Sequence, residues 1–441
     1  MRRAIPVRAA GQSPGGEQSF RGTPAIRSAP ERFFETWLDA VGGFIFCVLL
    51  PVPLYAPGEP FAGGIGATEH TILATAAAYV IVWYCGRRLD AFPRSTLQGN
   101  IGYLAPVAAI AYAVIAVLLV LLRSDYSRVQ LFGSGLLTVL WMAFVAQLRG
   151  RYLIRNYAVV PSNLIAEMPE QAGCRWLTYE DVEEMGIRVD AMVADLGPDL
   201  TEGQVAALAG AAIAGVPVLD RRYMVETMTG RTPLGGLMPN EFGALLPSRQ
   251  YLVIRRGLEL LLTLLVLPVL LPILGAVALA VRLDSPGPIF FQQERVGRRG
   301  RVFRMIKFRT MHHGASGPSF TTESDPRITR LGHTLRRYRL DELPQLVNVL
   351  RGDMSWVGPR PEALTLDQRY VQDIPHFALR GIVRPGVTGW AQINQGYAHE
   401  ADEMRSKLEF DLYYLKHCSL WLDVMIVLRT FVVVFAGTGA R

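Results

Sequence analysis

The sequence predicts a membrane protein in three parts: an α-helical region with four transmembrane helices, a small α/β module, and an α/β monotopic domain built on a re-entrant, broken membrane helix. Three observations support this. Half of the 441 residues are hydrophobic and 19% are charged, against about 25% charged in soluble domains. Long apolar stretches are confined to the first third of the chain and to residues 257–281. Elsewhere, short apolar runs alternate with polar, Arg-rich segments.

The predicted boundaries follow the changes in composition. Residues 1–30 are rich in Gly, Pro, Ser and Arg, which is typical of a disordered basic arm. No apolar segment follows the first arginines closely enough for a signal peptide. The transmembrane region then covers residues 31–150, the α/β module residues 151–247, and the C-terminal domain residues 248–441.

Four apolar segments follow the arm, and each is predicted to be a membrane helix. They are Trp37–Tyr55, Thr71–Cys85, Ile101–Leu122 and Val129–Ala146. A spanning helix needs about 20 apolar residues, which the third segment supplies, while prolines interrupt the first and the second is short. Buried core helices are the alternative, but four nearly uncharged runs in close succession favour spanning.

Arginines flank these segments unevenly. Six precede the first segment, three follow the second and three follow the fourth, whereas the loop 56–70 contains neither Lys nor Arg. The positive-inside rule therefore places the N-terminus, the second loop and the exit of the fourth segment on the cytoplasmic side.

Net charge and cysteine content limit the class of partner. The formal net charge is +7, which favours anionic lipid or phosphorylated substrates. No compact basic stripe with interleaved aromatic residues is present, so nucleic acid is not a predicted partner. The four cysteines lie far apart without a CxxC pair, so neither a zinc site nor a disulfide framework is predicted.

The α/β module is predicted from alternating strand and helix patterns. Tyr157–Pro161, Ala191–Asp195 and Val216–Asp220 are short apolar runs typical of strands, and Gln204–Gly215 is a small-residue helix. This alternation indicates a small doubly wound unit. No GxGxxG follows the first strand, so dinucleotide binding is not supported, and a regulatory or spacer role is the default.

The apolar run Gly257–Val281 is long enough to span a membrane, but Pro268 and Pro272 should break or kink it. Arginines flank both of its ends: Arg255, Arg256 and Arg282. A helix that enters one leaflet, bends at the prolines and returns would keep both ends in the cytoplasm. A fifth spanning helix is the alternative, and it would export the C-terminal domain. The last apolar run, Leu420–Phe435, contains two charged residues and is predicted to be an interfacial helix.

A short helix is predicted after Asp341 and Glu342. Pro344 suits its first turn, and Gly352 is a natural stop. Apolar residues recur at i, i+3, i+4 and i+7 and predict one buried face, formed by Leu343, Leu346, Val347 and Leu350. The two acidic residues would therefore lie at a helix N-terminus, where the potential is positive.

This acidic pair has two interpretations. Acidic residues often merely cap a helix. Alternatively, one carboxylate attacks phosphorus while the other helps to hold a divalent metal, with the upstream Arg336, Arg337 and Arg339 neutralising phosphate charge.

Other segments carry weaker signals. The stretch KFRTM ends a predicted strand with Lys307 and Arg309, and EFDLYY places Glu409 and Asp411 on one side of a predicted helix or strand. The stretches QQERVGRRG and PGVTGWAQIN are predicted glycine turns.

Taken in order, six motifs resemble the bacterial sugar transferase family, the monotopic polyprenyl-phosphate phosphoglycosyl transferases. They are GPIFFQQERVG, KFRTM, DPRITRLG, RLDELPQLVNVLRGDMSWVGPRPE, RPGVTGWAQIN and KLEFDLYYLK. The whole chain resembles the large, exopolysaccharide-type members, which place four membrane helices and an α/β module before the catalytic domain. Two positions depart from common patterns: Leu267 precedes the helix-breaking proline where small members often have Ser, and Arg339 replaces a common Ser.

The resemblance implies roles for individual residues. Asp341 matches the nucleophile and Glu342 its metal-associated partner, with Mg²⁺ as the expected cofactor held by this pair. Cations near the substrate phosphates are expected at Lys307, Arg309, Arg336 and Arg360. Glu409 and Asp411 match acidic residues that the family requires, and Pro268, with Pro272 nearby, matches the break of the re-entrant helix.

The resemblance also implies the reaction: transfer of a sugar-1-phosphate, a hexose such as glucose or galactose, from a UDP-sugar to undecaprenyl phosphate with release of UMP. The expected mechanism is ping-pong through an aspartyl phosphosugar, and the expected product starts exopolysaccharide or capsule synthesis. The expected location is the bacterial inner membrane, multi-pass, with the catalytic domain cytoplasmic. Expected partners are inner-membrane lipid, downstream glycosyltransferases and a second copy of the chain.

Three alternatives make distinct demands. A catalytically inactive scaffold for polysaccharide assembly would be expected to lose the acidic pair or its cations, and all are present. A transporter needs polar residues inside its spans, where this sequence has almost none. A transferase that forms a glycosidic bond would release UDP, so the released nucleotide distinguishes it.

Overall fold

The computed structural model describes residues 37, 39–50, 65–89, 97–124, 126–152, 155–170, 174–185, 187–197, 200–237, 242–243, 245–314, 325–395 and 401–435. The predicted basic arm, residues 1–30, lies outside them. The chain divides into two compact units. One contains Leu148–Val225, and the other contains Leu38–Gln147 together with Glu226–Arg441.

Each of the four predicted membrane segments contains a helix, and we number these helices α1 to α4; residues 51–55 of the first segment lie outside the described residues. The helices are Asp39–Leu49, Ile65–Leu89, Leu97–Leu121 and Arg128–Tyr152. Over the described residues, two helices of the protein are long and apolar enough to cross a membrane: Arg128–Val145 within α4, and Arg249–Asp284. The helical region is thus confirmed, whereas the crossing of all four segments stays a prediction.

Polar contacts between these helices are buried, and their apolar side chains also face outward. The Tyr112 hydroxyl on α3 shares hydrogen bonds with Ser134 Oγ at 2.8 Å and Thr138 Oγ1 at 2.9 Å on α4. Leu121 and Phe132 are 72% and 84% exposed. Outward-facing apolar side chains, with the polar contacts between helices kept buried, suit lipid contact.

The α/β module is a four-stranded parallel sheet in the order β2-β1-β3-β4. Its strands β1 to β4 are Arg155–Val160, Cys174–Thr178, Ala191–Ala194 and Val218–Asp220. Its helices α5 to α7 are Tyr179–Met185, Glu202–Ile213 and Arg221–Thr229. The predicted alternation is confirmed, with β2 as an unpredicted strand. The predicted end of the module at residue 247 is wrong, because Leu237 and Leu245 are buried in the core of the other unit.

The predicted re-entrant segment lies within α8, Arg249–Asp284, which contains both Pro268 and Pro272. The helix is about 54 Å long at 1.5 Å per residue. The prediction that the prolines interrupt this helix is wrong, because helical structure continues through both of them. Proline's φ is compatible with a helix, so each proline removes one backbone donor without ending the segment.

Both ends of α8 pack on the same C-terminal domain. Near the first end, Trp356 Nε1 donates to Thr263 Oγ1 at 2.8 Å. Near the other end, Val281 lies in a core cluster with Phe308 and Leu335. Residues 264–273, which include both prolines, contain no buried side chain.

The rest of the domain surrounds two small sheets. Strands β5 and β6, Phe290–Val296 and Val302–Phe308, form an antiparallel pair, and β7 and β8, Ser355–Val357 and Gly386–Thr388, pair in parallel. Helices α9 to α14 are Arg330–Arg337, Gln345–Arg351, Leu364–Asp373, Trp390–Asn394, Ala401–His417 and Leu420–Phe435.

The predicted interfacial helix α14 contacts two cores. Leu422 and Ile426 are buried in the core of the C-terminal domain. Met425 and Leu428 are buried with residues of α2, α3 and α4. This helix therefore joins α2, α3 and α4 to the C-terminal domain of the same unit.

Candidate active site

The predicted acidic pair lies in a 3-10 turn, Leu340–Glu342, between α9 and α10. Arg339, which precedes it, has a left-handed backbone with φ of 51°. Asp341 and Glu342 are each 7% exposed. Unpaired burial of two carboxylates is costly, so their surroundings must compensate the charge.

Helix α10 begins and ends as predicted, but it buries a different face. Pro344 has φ of −63° at its start, and Gly352 ends it with φ of 89°. The buried residues are Gln345, Asn348 and Val349, whereas Val347 of the predicted apolar face is 40% exposed. The predicted face is therefore wrong, because this helix is held by polar contacts.

Those polar contacts join α10 to β6. The Asn348 side-chain oxygen accepts from the backbone N–H of Ile306 at 3.1 Å. Its Nδ2 donates to the carbonyl of Arg304 at 2.8 Å. Because Lys307 follows Ile306 on β6, Asn348 fixes the strand that carries Lys307 against the helix that follows the acidic pair.

Three of the predicted cations, Lys307, Arg336 and Arg360, act on the acidic pair, and their contact with substrate phosphate stays a prediction. Arg360 Nη2 lies 2.7 Å from Glu342 Oε1. The guanidinium of Arg336 is fixed by Thr310 Oγ1 at 3.0 Å from Nε. Electrostatic effects of all three cations reach Asp341.

The two neighbouring carboxylates differ in acidity. Burial and the adjacent Glu342 charge raise the pKa of Asp341 to about 6, against the opposing effect of the three cations. Burial also acts on Glu342, but Arg360 and Arg339 outweigh it and hold the pKa of Glu342 below its usual value. Burial lowers the pKa of Lys307 to about 8, although Asp341 opposes the shift.

A buried ionic network supports Arg360 from behind. Arg380 Nη2 donates to the carbonyl of Arg360 at 2.8 Å, and Arg380 Nε donates to Asp411 Oδ2 at 2.7 Å. Lys407 Nζ lies 2.7 Å from Glu362 Oε1, which is 3.8 Å from Arg380 Nη1. Glu362, Arg380 and Lys407 are not among the site residues predicted from the sequence. The signal for Lys407 was its rarity, since the chain has only three lysines.

The two predicted acids on α13 do not share a side. Residues i and i+2 on a helix point about 200° apart, so the prediction of one side is wrong. Asp411 is buried against Arg380, whereas the half-buried Glu409 carboxylate accepts from the backbone N–H of Leu234 and lies near Arg231.

Arg309 lies near the end of α8, with its guanidinium turned to backbone carbonyls. It donates to the carbonyls of Ser285 at 2.6 Å and Pro286 at 3.0 Å, and to Ser285 Oγ at 3.0 Å. These contacts engage both of its terminal nitrogens and turn the guanidinium toward the end of α8, while the predicted phosphate contact of Arg309 stays a prediction. Arg309 fixes the C-terminal end of α8 to the residue after β6.

The acidic pair is suited to Mg²⁺. Over the described residues, no group of three or more His, Cys, Asp and Glu side chains converges. Mg²⁺ commonly uses one or two carboxylates, together with waters and substrate phosphates. Asp341 and Glu342 supply those two carboxylates, and the repulsion between them would be relieved by a divalent cation.

Comparison with known proteins places this geometry in context. The model of the family described as "Bacterial sugar transferase" matches residues 250–437. The UDP-N-acetylgalactosamine-undecaprenyl-phosphate N-acetylgalactosaminephosphotransferase of Aeromonas hydrophila is 39% identical over 367 residues, 82% of this chain and 87% of that protein. Two UDP-glucose:undecaprenyl-phosphate glucose-1-phosphate transferases match a shorter part. The Escherichia coli K12 protein is 44% identical, over 42% of this chain and 40% of its own length. The Xanthomonas campestris pv. campestris protein is 45% identical, over 41% of this chain and 38% of its own length.

The family model covers α8 and every element that carries the acidic pair and its cations. The Aeromonas relative extends the similarity through most of the chain at more than one residue in three. The chain belongs to the bacterial sugar transferase family.

Proposed function

We propose that this protein transfers a sugar-1-phosphate from a UDP-sugar to undecaprenyl phosphate and releases UMP, at the cytoplasmic face of the bacterial inner membrane. The observation that carries the proposal is the buried Asp341–Glu342 pair with Lys307, Arg336 and Arg360 acting on it. Such a charge arrangement suits phosphoryl transfer, in which anionic groups must approach one another. The product would begin an exopolysaccharide or capsule repeat.

The proposed reaction has two steps. In the first, a carboxylate oxygen of Asp341 attacks the β-phosphorus, the bond from that phosphorus to the bridging oxygen breaks, and UMP leaves with the electron pair. In the second, an oxygen of undecaprenyl phosphate attacks the same phosphorus. The Asp341 carboxylate then leaves unchanged, and undecaprenyl-diphosphate-sugar is formed.

The difference in acidity supports this division of roles. Glu342 is held ionised by its 2.7 Å contact with Arg360 and remains a fixed charge. The raised pKa of Asp341 makes its carboxylate the more basic of the two. A basic, ionised carboxylate with cations beside it is suited to attack phosphorus.

The cations would stabilise the transferring group. Lys307 and Arg336 approach from β6 and α9, while Arg360 comes from the segment after β7. A bound Mg²⁺, held by Asp341 and Glu342, would supply further charge neutralisation at the phosphates.

The sugar that is transferred can be identified by comparing UDP-sugar donors. The Aeromonas relative is named for N-acetylgalactosamine and the Escherichia and Xanthomonas relatives for glucose. We propose a UDP-hexose or UDP-N-acetylhexosamine donor. UMP release is measured with purified protein, undecaprenyl phosphate, and UDP-N-acetylgalactosamine, UDP-glucose or UDP-galactose in parallel.

The decisive variant is Asp341→Asn, which preserves size and removes the negative charge. We expect no UMP release and no labelling of the protein by donor carrying ³²P in its β-phosphate. Asp373→Asn, at an exposed carboxylate on α11, is the matched control and should keep full activity. Normal turnover of Asp341→Asn would refute the nucleophile, and UDP release by the unaltered protein would refute the reaction class. Absence of turnover with every donor would favour the inactive scaffold.

A further inference from the structure

A second cationic site lies beside the first turns of α8, among residues that the proposed reaction does not use. The pocket has about 260 Å³ of empty space, part of it open to solvent. Arg256 and Glu259 line it from α8, Ser355 from β7, and Arg298 and Arg384 from two neighbouring segments.

Three guanidinium groups in this pocket are fixed by backbone carbonyls. Arg256 Nη2 donates to Leu350 at 3.3 Å, Arg298 Nε to Ile382 at 3.2 Å, and Arg384 Nε to Gly352 at 2.9 Å. These contacts restrict the side chains while leaving other N–H groups for a ligand. Arg256 Nη1 is buried and has no hydrogen-bond partner within the described part of the chain.

The carboxylate of Glu259 in this pocket already has hydrogen-bond partners within the protein. Glu259 Oε1 accepts from Arg255 at 3.0 Å and also from Ser355 Oγ. Its other oxygen is 3.8 Å from Arg256 Nη1. In the portion that the structure describes, neither Arg298 nor Arg384 forms an ion pair.

The arginines therefore affect one another. Burial, and then the charges of Arg256 and Arg298, lower the pKa of Arg384. Like charges held together without enough acids repel, and an anion would remove that repulsion. Guanidinium groups are especially suited to phosphate, which accepts two parallel N–H bonds from each.

The position of the pocket indicates where the phosphate comes from. Val253 and Ile254, on the same turns of α8, are 64% and 53% exposed, and the apolar body of the helix follows. If α8 enters the membrane as proposed, the pocket lies at the level of the lipid headgroups, where anionic lipids attract arginine.

We propose that Arg256, Arg298 and Arg384 bind the phosphate group of a membrane lipid, at a site separate from the Asp341–Glu342 pair. The ligand chemistry is a lipid phosphate, either the phosphodiester of a bilayer lipid or the phosphomonoester of a polyprenyl phosphate. The proposal rests on the membrane insertion assumed in the proposed function. The test measures lipid binding and not UMP release. The lipid-site proposal can therefore fail while the proposed enzymatic reaction still occurs.

The test uses the full chain in neutral detergent and native mass spectrometry to titrate bound lipid. The probes are dioleoyl phosphatidylglycerol, undecaprenyl phosphate and, as the phosphate-free reference lipid, dioleoylglycerol. We compare Arg298→Gln and Arg384→Gln with Arg304→Gln, a 72% exposed arginine of β6 whose loss changes net charge equally. Circular dichroism melting checks that each variant is folded.

We expect each pocket substitution to weaken binding of at least one phosphate lipid about tenfold, the loss of one charge-assisted hydrogen bond. Arg304→Gln should not weaken binding of either phosphate lipid, and no substitution should change binding of dioleoylglycerol. Weakening of phosphatidylglycerol alone assigns a bilayer lipid, and weakening of undecaprenyl phosphate alone assigns the lipid substrate.

Unchanged binding of both phosphate lipids in folded variants would overturn the proposal, as would equal weakening in Arg304→Gln. If a glutamine variant does not fold, Arg298→Lys and Arg384→Lys keep the charge. These lysine variants should then retain binding of the phosphate lipids. Added salt should weaken that binding in the unaltered protein, and binding to the unaltered protein that does not depend on salt would overturn the proposal.

Discussion

At the scale of single residues, the neighbours of a carboxylate decide its role more than its position in the sequence. Asp341 and Glu342 are adjacent and equally exposed, yet their pKa values move in opposite directions. The short contact from Arg360 to Glu342 accounts for the difference. A pH profile can therefore separate the two.

We expect a bell-shaped dependence of kcat/KM on pH. Attack requires ionised Asp341, whose pKa is raised to about 6, so the rate should fall as the pH drops below 6. Charge neutralisation requires protonated Lys307, whose pKa is lowered to about 8, so the rate should also fall above 8. UMP release measured from pH 5 to 9 checks both limbs. Lys307→Arg, with a higher pKa, should lose the alkaline limb, and an unchanged limb would assign it to another group.

Asp411 and Glu409 offer a matched comparison. Asp411→Asn leaves Arg380 buried with a weakened partner, which should destabilise the protein by about 3 kcal/mol and slow turnover through Arg360, whose carbonyl Arg380 holds. Glu409→Gln, at a half-buried carboxylate, should change melting and turnover little. Thermal melting and kcat are the measurements, and the reverse order of effects would contradict the network.

The sequence could predict these residues only in part. The adjacency of Asp341 and Glu342 and the cations around them could be predicted, because they lie within one motif. The orientation of Arg309 could not, because its carbonyl partners depend on where α8 ends. The Arg380–Asp411 contact joins residues 31 apart, and no local pattern contains that information.

At the scale of elements, α8 is held at its first turns by charge as well as by apolar packing. Arg255 contacts Glu259 at 3.0 Å and Asp423 of α14 at 3.3 Å, and all three side chains are largely buried. The tyrosine hydroxyls of Tyr251 and Tyr414 also donate to Asp423, at 2.6 and 2.8 Å. Arg255 thus links the membrane helix to α14.

Arg255→Met should leave the buried carboxylates of Glu259 and Asp423 without their nearest cation. Breaking a buried pair commonly costs about 3–5 kcal/mol, so we expect a clear fall of the melting temperature in detergent. Arg249→Met, at the exposed first residue of α8, is the control and should melt like the unaltered protein. Equal melting of both variants would mean that this contact does not fix the helix.

Helix α10 shows why an apolar period can mispredict a face. Its ends were predicted correctly from Pro344 and Gly352, which act through local backbone geometry. Its buried face was not, because Asn348 bonds to the backbone of β6. Burial of an amide depends on a partner distant in sequence, which periodicity does not record.

At the scale of the whole molecule, composition predicted the three kinds of segment and the motifs predicted the family. The boundaries of the segments depend on packing. Residues 226–247 belong to the second unit because Leu237 and Leu245 are buried in its core. Likewise, the contact of α14 with the membrane helices places the last apolar run in two cores at once. Sequence alone gave its apolar character but neither partner.

The membrane topology tests this organisation. A straight spanning helix would place its two ends on opposite sides of a hydrocarbon core about 30 Å thick. In this protein Thr263 and Val281, on opposite sides of the prolines, both pack on the C-terminal domain. The exposed apolar residues between them form the segment available for insertion. We therefore predict that both ends of α8 face the cytoplasm, where UDP-sugars are made.

Single cysteines at Arg249→Cys and His313→Cys in a Cys-free background, both at exposed positions, measure this directly. A membrane-impermeant maleimide should label neither in intact spheroplasts and both after lysis, because each lies on the cytoplasmic side. A cysteine introduced within residues 56–64, which contain neither Lys nor Arg, is the control for the outer face and should be labelled in intact spheroplasts. Labelling at position 313 but not at 249 before lysis would mean that α8 crosses the membrane. The cytoplasmic active site would then be excluded, because UDP-sugar could not reach Asp341 from the side on which it is made.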